Sequence, residues 1–373
     1  MFFAAQRRHL DDLASAGRTR RLSPRAGTDF ASNDYLALAS SPRLRGALAE
    51  AVERGVPVGS GGSRLLRGND PEHEALETEA GAFFGVEAAL FLGSGYAANT
   101  ALLSALPQRG DLIVYDALVH ASTLDGVRLG RGDAVAARHN DADAFADAIA
   151  SWRGRGGTGT PWIVAESLYS MDGDFAPLAA LAEIADRHEA ILLVDEAHAT
   201  GVWGMDGRGC ADRLDGRPNV ITLKTMGKAM GCEGALVCGP ALVRDFLVSR
   251  GRPFIFSTAP SPLMAAVARE SLTILRDEPQ RRDVLQRLIA YAAERLGSVG
   301  ATATGSQIMP LVIGDNAATM RAAEAVQAAG FDVRGIRPPT VPDGTARLRI
   351  SLTLHVGTDE IDALGDVLNA VLR

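Results

Sequence analysis

Short apolar runs alternate with helical segments between residues 72 and 237, and this alternation restricts the possible folds more than any other feature of the sequence. The apolar runs are too short for buried helices, so we predict strands there. Strands of this kind are typical of a mainly parallel sheet with helices on both faces, which is an α/β fold. The predicted strands are 88–92, 112–115, 162–166, 191–195, 220–223 and 235–237.

The sequence also predicts helices before and between these strands, over residues 4–16, 72–84, 97–106, 123–129 and 178–188. After residue 255 the pattern changes to helix 263–296, strand 308–313, helix 317–329, strands 331–334 and 348–352, and helix 359–372. The sequence therefore predicts an N-terminal segment (1–44), a large α/β domain (45–255) and a small C-terminal α+β domain (256–373).

Composition excludes several classes of protein. The 373 residues carry a net charge of −7, so no general affinity for nucleic acid or acidic membranes is expected. No apolar run is long enough for a transmembrane helix or a signal peptide, and we expect a cytoplasmic protein. Cys210, Cys232 and Cys238 are too few and too irregularly spaced for a disulfide framework or a zinc site.

One lysine, Lys228, lies in a glycine-rich turn between the last two predicted strands of the large domain. Its small neighbours Gly227 and Ala229 leave room for a flat group beside the amine. Such a lysine could form a Schiff base with a cofactor, or it could be an ordinary turn lysine. The stretch alone does not separate these two interpretations.

Other polar residues follow predicted strands, and the carboxyl ends of parallel strands gather at one edge of a sheet, where ligands bind. The turn Ser94-Gly95-Tyr96 opens a helix and could bind a phosphate, although a plain tight turn is an equal alternative. It lacks the Gly-Lys-Ser/Thr of a Walker loop and the full dinucleotide fingerprint. His120 could stack on a flat ring or simply cap a helix.

Asp195 ends a strand and His198 follows three residues later. A metal site is disfavoured because no third ligand with clear spacing is visible. The aspartate could instead pair with a protonated ring nitrogen while the histidine donates to a ring oxygen, as pyridoxal phosphate requires. Ser170 could add a hydrogen-bond donor, and Thr225 could contact a phosphate near Lys228. Together these residues meet the separate requirements of one cofactor, pyridoxal 5′-phosphate.

Six segments identify the chain with a known family. They resemble, in the same order, the motifs of the α-oxoamine synthases, which are fold-type I pyridoxal-phosphate enzymes with an aspartate aminotransferase-like fold. The similarity covers nearly the whole chain. The segments are Asn33-Asp34-Tyr35-Leu36, Gly59-Ser60-Gly61-Gly62-Ser63-Arg64, Ser94-Gly95-Tyr96-Ala97-Ala98-Asn99, Ser170-Met171-Asp172-Gly173-Asp174, Asp195-Glu196-Ala197-His198-Ala199-Thr200-Gly201 and Thr225-Met226-Gly227-Lys228.

The resemblance implies a role in cofactor binding for several residues. Lys228 would hold the cofactor covalently, and Asp195 would keep the pyridine nitrogen protonated. His198 and Ser170 would bond the ring oxygen, while His120 would stack on the ring and contact substrate. The phosphate would be held by Ser94, Gly95, Tyr96 and Thr225.

The resemblance also implies residues that contact the substrate or a second subunit. Arg337 would clamp the amino-acid carboxylate, and Thr340 and Arg20 would touch the acyl substrate. Thr258 would reach the phosphate of a neighbouring subunit, which implies a homodimer with shared active sites. The segment before Phe30 is shorter than is usual in the family, so Arg18 or Arg21 could replace Arg20 in this alignment. Ala37 also departs from the glycine usual in the family.

The tail from Ile336 to Arg349 is most similar to the family member that condenses L-alanine with pimeloyl-CoA or a pimeloyl-carrier protein in biotin biosynthesis. The resemblance therefore implies a decarboxylative acyltransferase. Another α-oxoamine synthase, using glycine, serine or a different acyl-CoA, is the nearest alternative. An aminotransferase, a pyridoxal-phosphate lyase and a non-catalytic pyridoxal-phosphate-binding module are more distant ones.

Overall fold

The computed structural model describes residues 2–20 and 22–372, which form two compact units. The sheet unit comprises Leu36–Ser170 and Asp174–Arg282. The terminal unit comprises the described residues up to Tyr35, Met171–Gly173, and the chain from Asp283 onwards. The sequence predicted a domain boundary after residue 255. The two compact units instead change after Arg282, so the two divisions of the chain differ.

The strands and helices are numbered in chain order. The strands are β1 (Thr28–Asp29), β2 (Ala88–Leu92), β3 (Leu112–Asp116), β4 (Asp133–Ala137), β5 (Pro161–Glu166), β6 (Ile191–Asp195), β7 (Val220–Thr225), β8 (Ala235–Gly239), β9 (Ile308–Gly314), β10 (Phe331–Asp332), β11 (Arg334–Ile336) and β12 (Ala346–Ser351). The helices are α1 (Ala4–Ser15), α2 (Pro42–Glu53), α3 (Pro71–Phe84), α4 (Gly95–Ala105), α5 (Ala121–Leu129), α6 (Ala142–Gly154), α7 (Leu178–Arg187), α8 (Ala241–Arg250), α9 (Arg252–Ile255), α10 (Pro262–Asp277), α11 (Gln280–Gly297), α12 (Asn316–Ala328) and α13 (Thr358–Val371).

The sheet unit is built on a sheet whose strand order is β2-β8-β7-β6-β5-β3-β4. The pairs from β7 through β4 are parallel, whereas β8 runs antiparallel to both β2 and β7. The predicted α/β fold with a mainly parallel sheet is therefore confirmed.

Alternate residues of the central strands pack on opposite sides of the sheet, as the two-residue period of a strand requires. Ile163 and Val194 belong to a core with α6 and α7, while Val164, Leu193 and Leu223 belong to a core with α4. The same period continued to the strand ends puts three polar residues on the α4 side. These residues are Glu166, Asp195 and Thr225.

Two sequence-based predictions differ from the structure. The single helical stretch over 263–296 is two helices, α10 and α11, separated at Pro279, because proline breaks an α-helix. The single strand over 331–334 is two short strands in different sheets: β10 pairs with β1, and β11 pairs with β12. Both of these sheets lie in the terminal unit. The first is the pair β1-β10, and the second has the strand order β11-β12-β9.

None of the helices within residues 2–20 and 22–372 has the length and apolar character that a membrane span requires.

The turn that carries Lys228 is fixed by its own backbone and by a neighbouring segment. The Gly231 amide donates to the Lys228 carbonyl at 2.9 Å, and the Met226 amide donates to the Gly234 carbonyl at 2.9 Å. Gly231 has a φ of +67°, and a Cβ there would lie 2.6 Å from the Ala39 amide nitrogen. Glycine is therefore required for both the backbone conformation and the close approach.

We expect Gly231→Ala to lower the free energy of unfolding by about 2–4 kcal/mol, because a steric clash adds to the cost of a left-handed alanine. Gly85→Ala is the matched control, since Gly85 has a similar φ of +71° but no atom within 4 Å of the place its methyl group would take. The control should lose only about 1–2 kcal/mol. Chemical denaturation of both variants measures the difference, and equal losses would show that the close approach is unimportant.

Candidate active site

A cavity of about 400 Å³ opens at the carboxyl edge of the parallel strands in the sheet unit. Four of its lining residues belong to the predicted phosphate site: Ser94, Gly95, Tyr96 and Thr225. Four more are the residues predicted to meet the cofactor ring: His120, Asp195, His198 and Lys228. The fold thus gathers side chains from segments that are distant in sequence, although their roles toward the cofactor remain predictions.

Asp195 is held in place by two hydrogen-bond donors. Its Oδ2 accepts from the Asn99 side-chain nitrogen at 2.7 Å, and its Oδ1 accepts from the Ala197 amide at 2.9 Å. Both carboxylate oxygens are therefore held in position by N–H donors. Asp195 therefore presents a buried negative charge to the cavity, which suits a cationic ring nitrogen.

The start of α4 also lines the cavity. Ser94 is the N-cap residue, and its Oγ accepts from the Ala97 amide at 3.1 Å. A Cβ at Gly95 would lie 2.9 Å from Cγ2 of Thr225, so glycine allows the helix start to approach the end of β7. The Tyr96 hydroxyl bonds Asp125, which leaves the backbone of Tyr96 rather than its hydroxyl available to an anion. Amides in the first turn of a helix are good phosphate ligands.

His120 caps α5 and also lines the cavity, so its capping role leaves the ring at the predicted cofactor site. Its Nδ1 accepts from the Ser122 amide at 3.2 Å and lies 2.7 Å from the Ser122 Oγ. Burial lowers the pKa of His120, and the charge of Lys228 lowers it further against the opposing effect of Asp195. A neutral imidazole suits stacking on a flat ring.

Ser170 and Thr258 were predicted to bind the cofactor. Both belong to the sheet unit, but neither is among the residues that line the cavity. Ser170 is buried, and its amide donates to Oε2 of the lining residue Glu166 at 3.1 Å. Thr258 follows α9 and is exposed, as a residue that reaches another subunit would have to be.

Of the residues predicted to contact substrate, His120 belongs to the sheet unit, whereas Arg20, Arg337 and Thr340 belong to the terminal unit. Arg20 donates to the Thr340 hydroxyl at 3.0 Å, and Arg337 donates to the Gly17 carbonyl. Arg18, the alternative to Arg20, instead forms an ion pair with Asp343 at 3.0 Å. Arg21, the other alternative, lies outside the described residues.

Two polar residues of the cavity, Asn99 and Glu166, were not predicted from the sequence. Asn99 is 1% exposed and links Asp195 to the Ser122 hydroxyl, which it meets at 3.0 Å. Glu166 ends β5 and is 3% exposed. Asn99 and Glu166 lie in or next to segments in which other residues were predicted to bind the cofactor. A polar residue that follows a buried apolar strand, or lies in the helix after it, could have indicated these two positions.

A histidine clamp, formed by His139, joins the end of β3 to the loop that contains Ser170, and it was not predicted either. His139 donates from Nδ1 to Asp116 and from Nε2 to Asp174, both at 2.8 Å. Asp116 ends β3, four residues before His120, while Asp174 closes the loop that contains Ser170. Burial alone would lower the pKa of His139, but its hydrogen bonds to the two carboxylates outweigh burial and raise the pKa to about 10.

A second buried charge cluster lies on the other side of the sheet from Asp195. Lys224 is fully buried, and its Nζ lies 3.0 Å from Asp215 Oδ2 and 3.6 Å from Glu196 Oε2. Glu196 directly follows Asp195, and Lys224 directly precedes Thr225. The backbone that holds two cavity residues is therefore also anchored by this charge cluster.

We expect His139→Asn to lower the free energy of unfolding by about 1–3 kcal/mol at neutral pH, because it removes a cation bonded to two carboxylates. The pKa is raised in the folded state, so this stabilisation is complete below the unfolded value of about 6.5. It is lost as pH rises through the folded value of about 10. The measurement is unfolding free energy against pH for both proteins.

The difference between wild type and His139→Asn should thus shrink as the solution becomes alkaline. His188→Asn is a suitable control because burial lowers the pKa of His188, which gives no such alkaline loss. A His139 effect that stays constant between neutral and strongly alkaline pH would contradict a protonated clamp.

The residues present fit pyridoxal 5′-phosphate on chemical grounds. The cavity offers a lysine amine, a buried carboxylate, two imidazoles and the first amides of a helix. The close contact that a Cβ at Gly95 would make shows that the helix start is packed tightly against Thr225, which lets both face one anion. Among the described residues no group of three or more His, Cys, Asp or Glu side chains is arranged to hold a metal ion.

Comparisons with known proteins agree with this chemistry. The family model of aminotransferase classes I and II matches residues 25–367. The 8-amino-7-oxononanoate synthase of Anaeromyxobacter dehalogenans is 43% identical over 370 residues, which cover 98% of this chain and 92% of that protein. The enzyme of the same name from Chromobacterium violaceum is 42% identical over 347 residues, with 92% and 89% covered.

Solved structures show the same similarity. A serine palmitoyltransferase from Sphingomonas wittichii superposes with a TM-score of 0.87 at 26% identity, covering 99% of this chain and 96% of that one. An 8-amino-7-oxononanoate synthase from Francisella tularensis superposes with a TM-score of 0.77 at 26% identity, covering 93% and 98%. The chain therefore belongs to the aminotransferase class I and II family and, within it, to the family of the 8-amino-7-oxononanoate synthases.

Proposed function

We propose that this chain condenses L-alanine with a pimeloyl thioester to give 8-amino-7-oxononanoate, carbon dioxide and the free thiol of CoA or the carrier protein, a step of biotin biosynthesis. The observation that carries the proposal is a cavity in which Lys228, Asp195, His198 and His120 meet, in a chain 43% identical to enzymes named for this product. The acyl donor is pimeloyl-CoA or a pimeloyl-carrier protein.

Pyridoxal 5′-phosphate is the cofactor. When bound, it supplies an electron sink for the pair of electrons left on the amino-acid Cα after proton removal. Asp195 would support this chemistry by holding a proton at the ring nitrogen, because its buried carboxylate is already ordered by Asn99 and Ala197. His198 and Ser170 would orient the ring through its oxygen.

Lys228 has two tasks in the proposal. Its amine would hold the cofactor covalently until the amino group of alanine displaces it, and the released amine would then take the proton from Cα as a general base. The Gly231 and Met226 hydrogen bonds hold the backbone of this turn in place. They would keep the amine at the cavity both while it is bonded to the cofactor and after it is released. His120 would cover the ring and exclude water from the reacting atoms.

The phosphate would lie at the start of α4, where Gly95, Tyr96 and the Ser94 hydroxyl meet Thr225. We further propose a homodimer in which Thr258 of one subunit contacts the phosphate bound by the other, since Thr258 is exposed. A fully active monomer on size-exclusion chromatography would refute this arrangement.

Arg337 would bind the carboxylate of alanine through paired hydrogen bonds, and Arg20 and Thr340 would contact the acyl group. The mutual hydrogen bond of Arg20 and Thr340 supports a shared task for these two residues. The structural similarity to a serine palmitoyltransferase favours one alternative, condensation of serine with a longer acyl-CoA. Identity to the 8-amino-7-oxononanoate synthases of Anaeromyxobacter dehalogenans and Chromobacterium violaceum is 43% and 42%, against 26% to the serine palmitoyltransferase, and this favours alanine and pimeloyl-CoA.

Alanine, glycine and serine should each be tested with pimeloyl-CoA and with palmitoyl-CoA while CoA release is followed. We expect turnover to be fastest with alanine and pimeloyl-CoA, and Lys228→Ala to abolish it together with the absorbance of covalently held cofactor. Faster release with serine and palmitoyl-CoA would support the alternative function. An unchanged spectrum in Lys228→Ala would refute the covalent role of this lysine.

Arg337→Ala should raise the KM for alanine by about 10²-fold, because a charge-assisted paired hydrogen bond contributes about 2–3 kcal/mol. The KM for pimeloyl-CoA should change much less. Arg334→Ala removes an arginine of the same unit that is paired with Asp332, and it controls for loss of charge. Equal changes in both KM values would argue against carboxylate binding by Arg337.

A further inference from the structure

Glu166 is a second carboxyl group beside Asp195. Glu166 ends β5 and is the Cα partner of Asp195 in the neighbouring parallel strand. Side chains at paired positions of parallel strands project from the same face, and adjacent strands lie about 4.8 Å apart. Glu166 is 3% exposed and lines the same cavity as Asp195. The reaction steps above give it no task.

The two oxygens of Glu166 have different surroundings. Oε2 accepts the Ser170 amide at 3.1 Å, and the carboxyl also bonds the backbone of His120. Glu166 thus joins the two loops that carry predicted cofactor residues. Its Oε1 is buried and has no hydrogen-bond partner within residues 2–20 and 22–372. Burying a polar atom without a hydrogen bond is energetically unfavourable, so a hydrogen bond between Oε1 and a bound ligand would be favourable.

Two neighbouring buried carboxyl groups do not both ionise readily. Each oxygen of Asp195 accepts an N–H donor, whereas Oε1 of Glu166 has none among the described residues, so the negative charge is better accommodated on Asp195. Burial, followed by the charge of Asp195, raises the pKa of Glu166 to about 8 against the opposing effect of Lys228. The titratable groups that face Glu166 are Asp195 on β6, Lys228 in the turn after β7, His120 before α5 and Tyr169 in the following loop.

We propose that Glu166 is a neutral carboxylic acid in the loaded enzyme and that its Oε1–H donates a hydrogen bond to an acceptor atom of the cofactor or the amino acid held in the cavity. The neutral acid leaves Asp195 as the one charge of this carboxyl pair. It also satisfies the buried oxygen without adding a second negative charge beside the ring site. The inference rests on the proposed function only if the acceptor atom belongs to the amino acid.

Infrared difference spectra of the cofactor-loaded protein test the protonation state directly. The carbonyl stretch of a protonated carboxylic acid should be present in wild type at about pH 6 and disappear as the solution is made alkaline through about pH 8. Glu166→Gln should lack this band. Absence of the band in wild type at about pH 6, or its persistence in Glu166→Gln, would overturn the proposal.

The donor role is tested by cofactor affinity measured from absorbance, without turnover. Glu166→Gln keeps a donor and should bind pyridoxal 5′-phosphate within about threefold of wild type. Glu166→Leu removes the donor and should weaken binding about tenfold or more if the acceptor is on the cofactor. Asp195→Asn makes the same acid-to-amide change in the ionised partner and should weaken binding strongly, unlike Glu166→Gln.

If the acceptor is on the amino acid, Glu166→Leu should leave cofactor affinity unchanged and raise the KM for alanine about tenfold, with Glu166→Gln again near wild type. Circular dichroism of both variants checks that they are folded. The donor role is overturned if Glu166→Leu matches Glu166→Gln in both measurements. Because the spectra and cofactor affinity do not depend on alanine or acyl-CoA, they remain decisive even if the proposed reaction is wrong.

Discussion

The position of one buried charge, Asp195, organises the surrounding structure. An ionised carboxylate in a protein interior is unfavourable unless donors surround it, and here Asn99 of α4 and the Ala197 amide supply them. Asn99 in turn contacts Ser122, which is bonded to His120. The helix that begins at the predicted phosphate turn is therefore connected by a continuous chain of hydrogen bonds to Asp195, the predicted partner of the ring nitrogen, and to His120, the histidine predicted to stack on the ring.

The sheet supports this arrangement from both sides. On the α4 side, the strand ends present polar residues to the cavity, and on the other side Lys224 and Glu196 belong to a buried charge cluster. Removing one partner from such a cluster typically costs about 3–5 kcal/mol because an uncompensated charge remains. Residues that line the cavity thus stand directly beside residues of the charge cluster in the chain, so a substitution that shifts the strand register would disturb both.

Much of the fold and part of the site could be predicted from the sequence. The central strands were found because they are continuously apolar, whereas β4 was missed because four of its residues are exposed and its composition is rich in alanine. Lys228, Asp195 and His198 stand in recognisable motifs. Asn99, Glu166 and His139 became visible only in three dimensions, because their partners lie 23 or more residues away or on a neighbouring strand. Sequence spacing carries no information about such contacts.

The contacts of Arg337 in the terminal unit bear on affinity for the amino acid. Its guanidinium donates to the Gly17 carbonyl and, at 3.4 Å, to the Thr19 carbonyl. In the role proposed for Arg337, an incoming carboxylate has to share these donors or displace the carbonyls. The N-terminal segment is then an internal competitor of the substrate. A purification tag or a truncation near residue 17 would change that competition, and with it the alanine concentration needed for half-maximal rate.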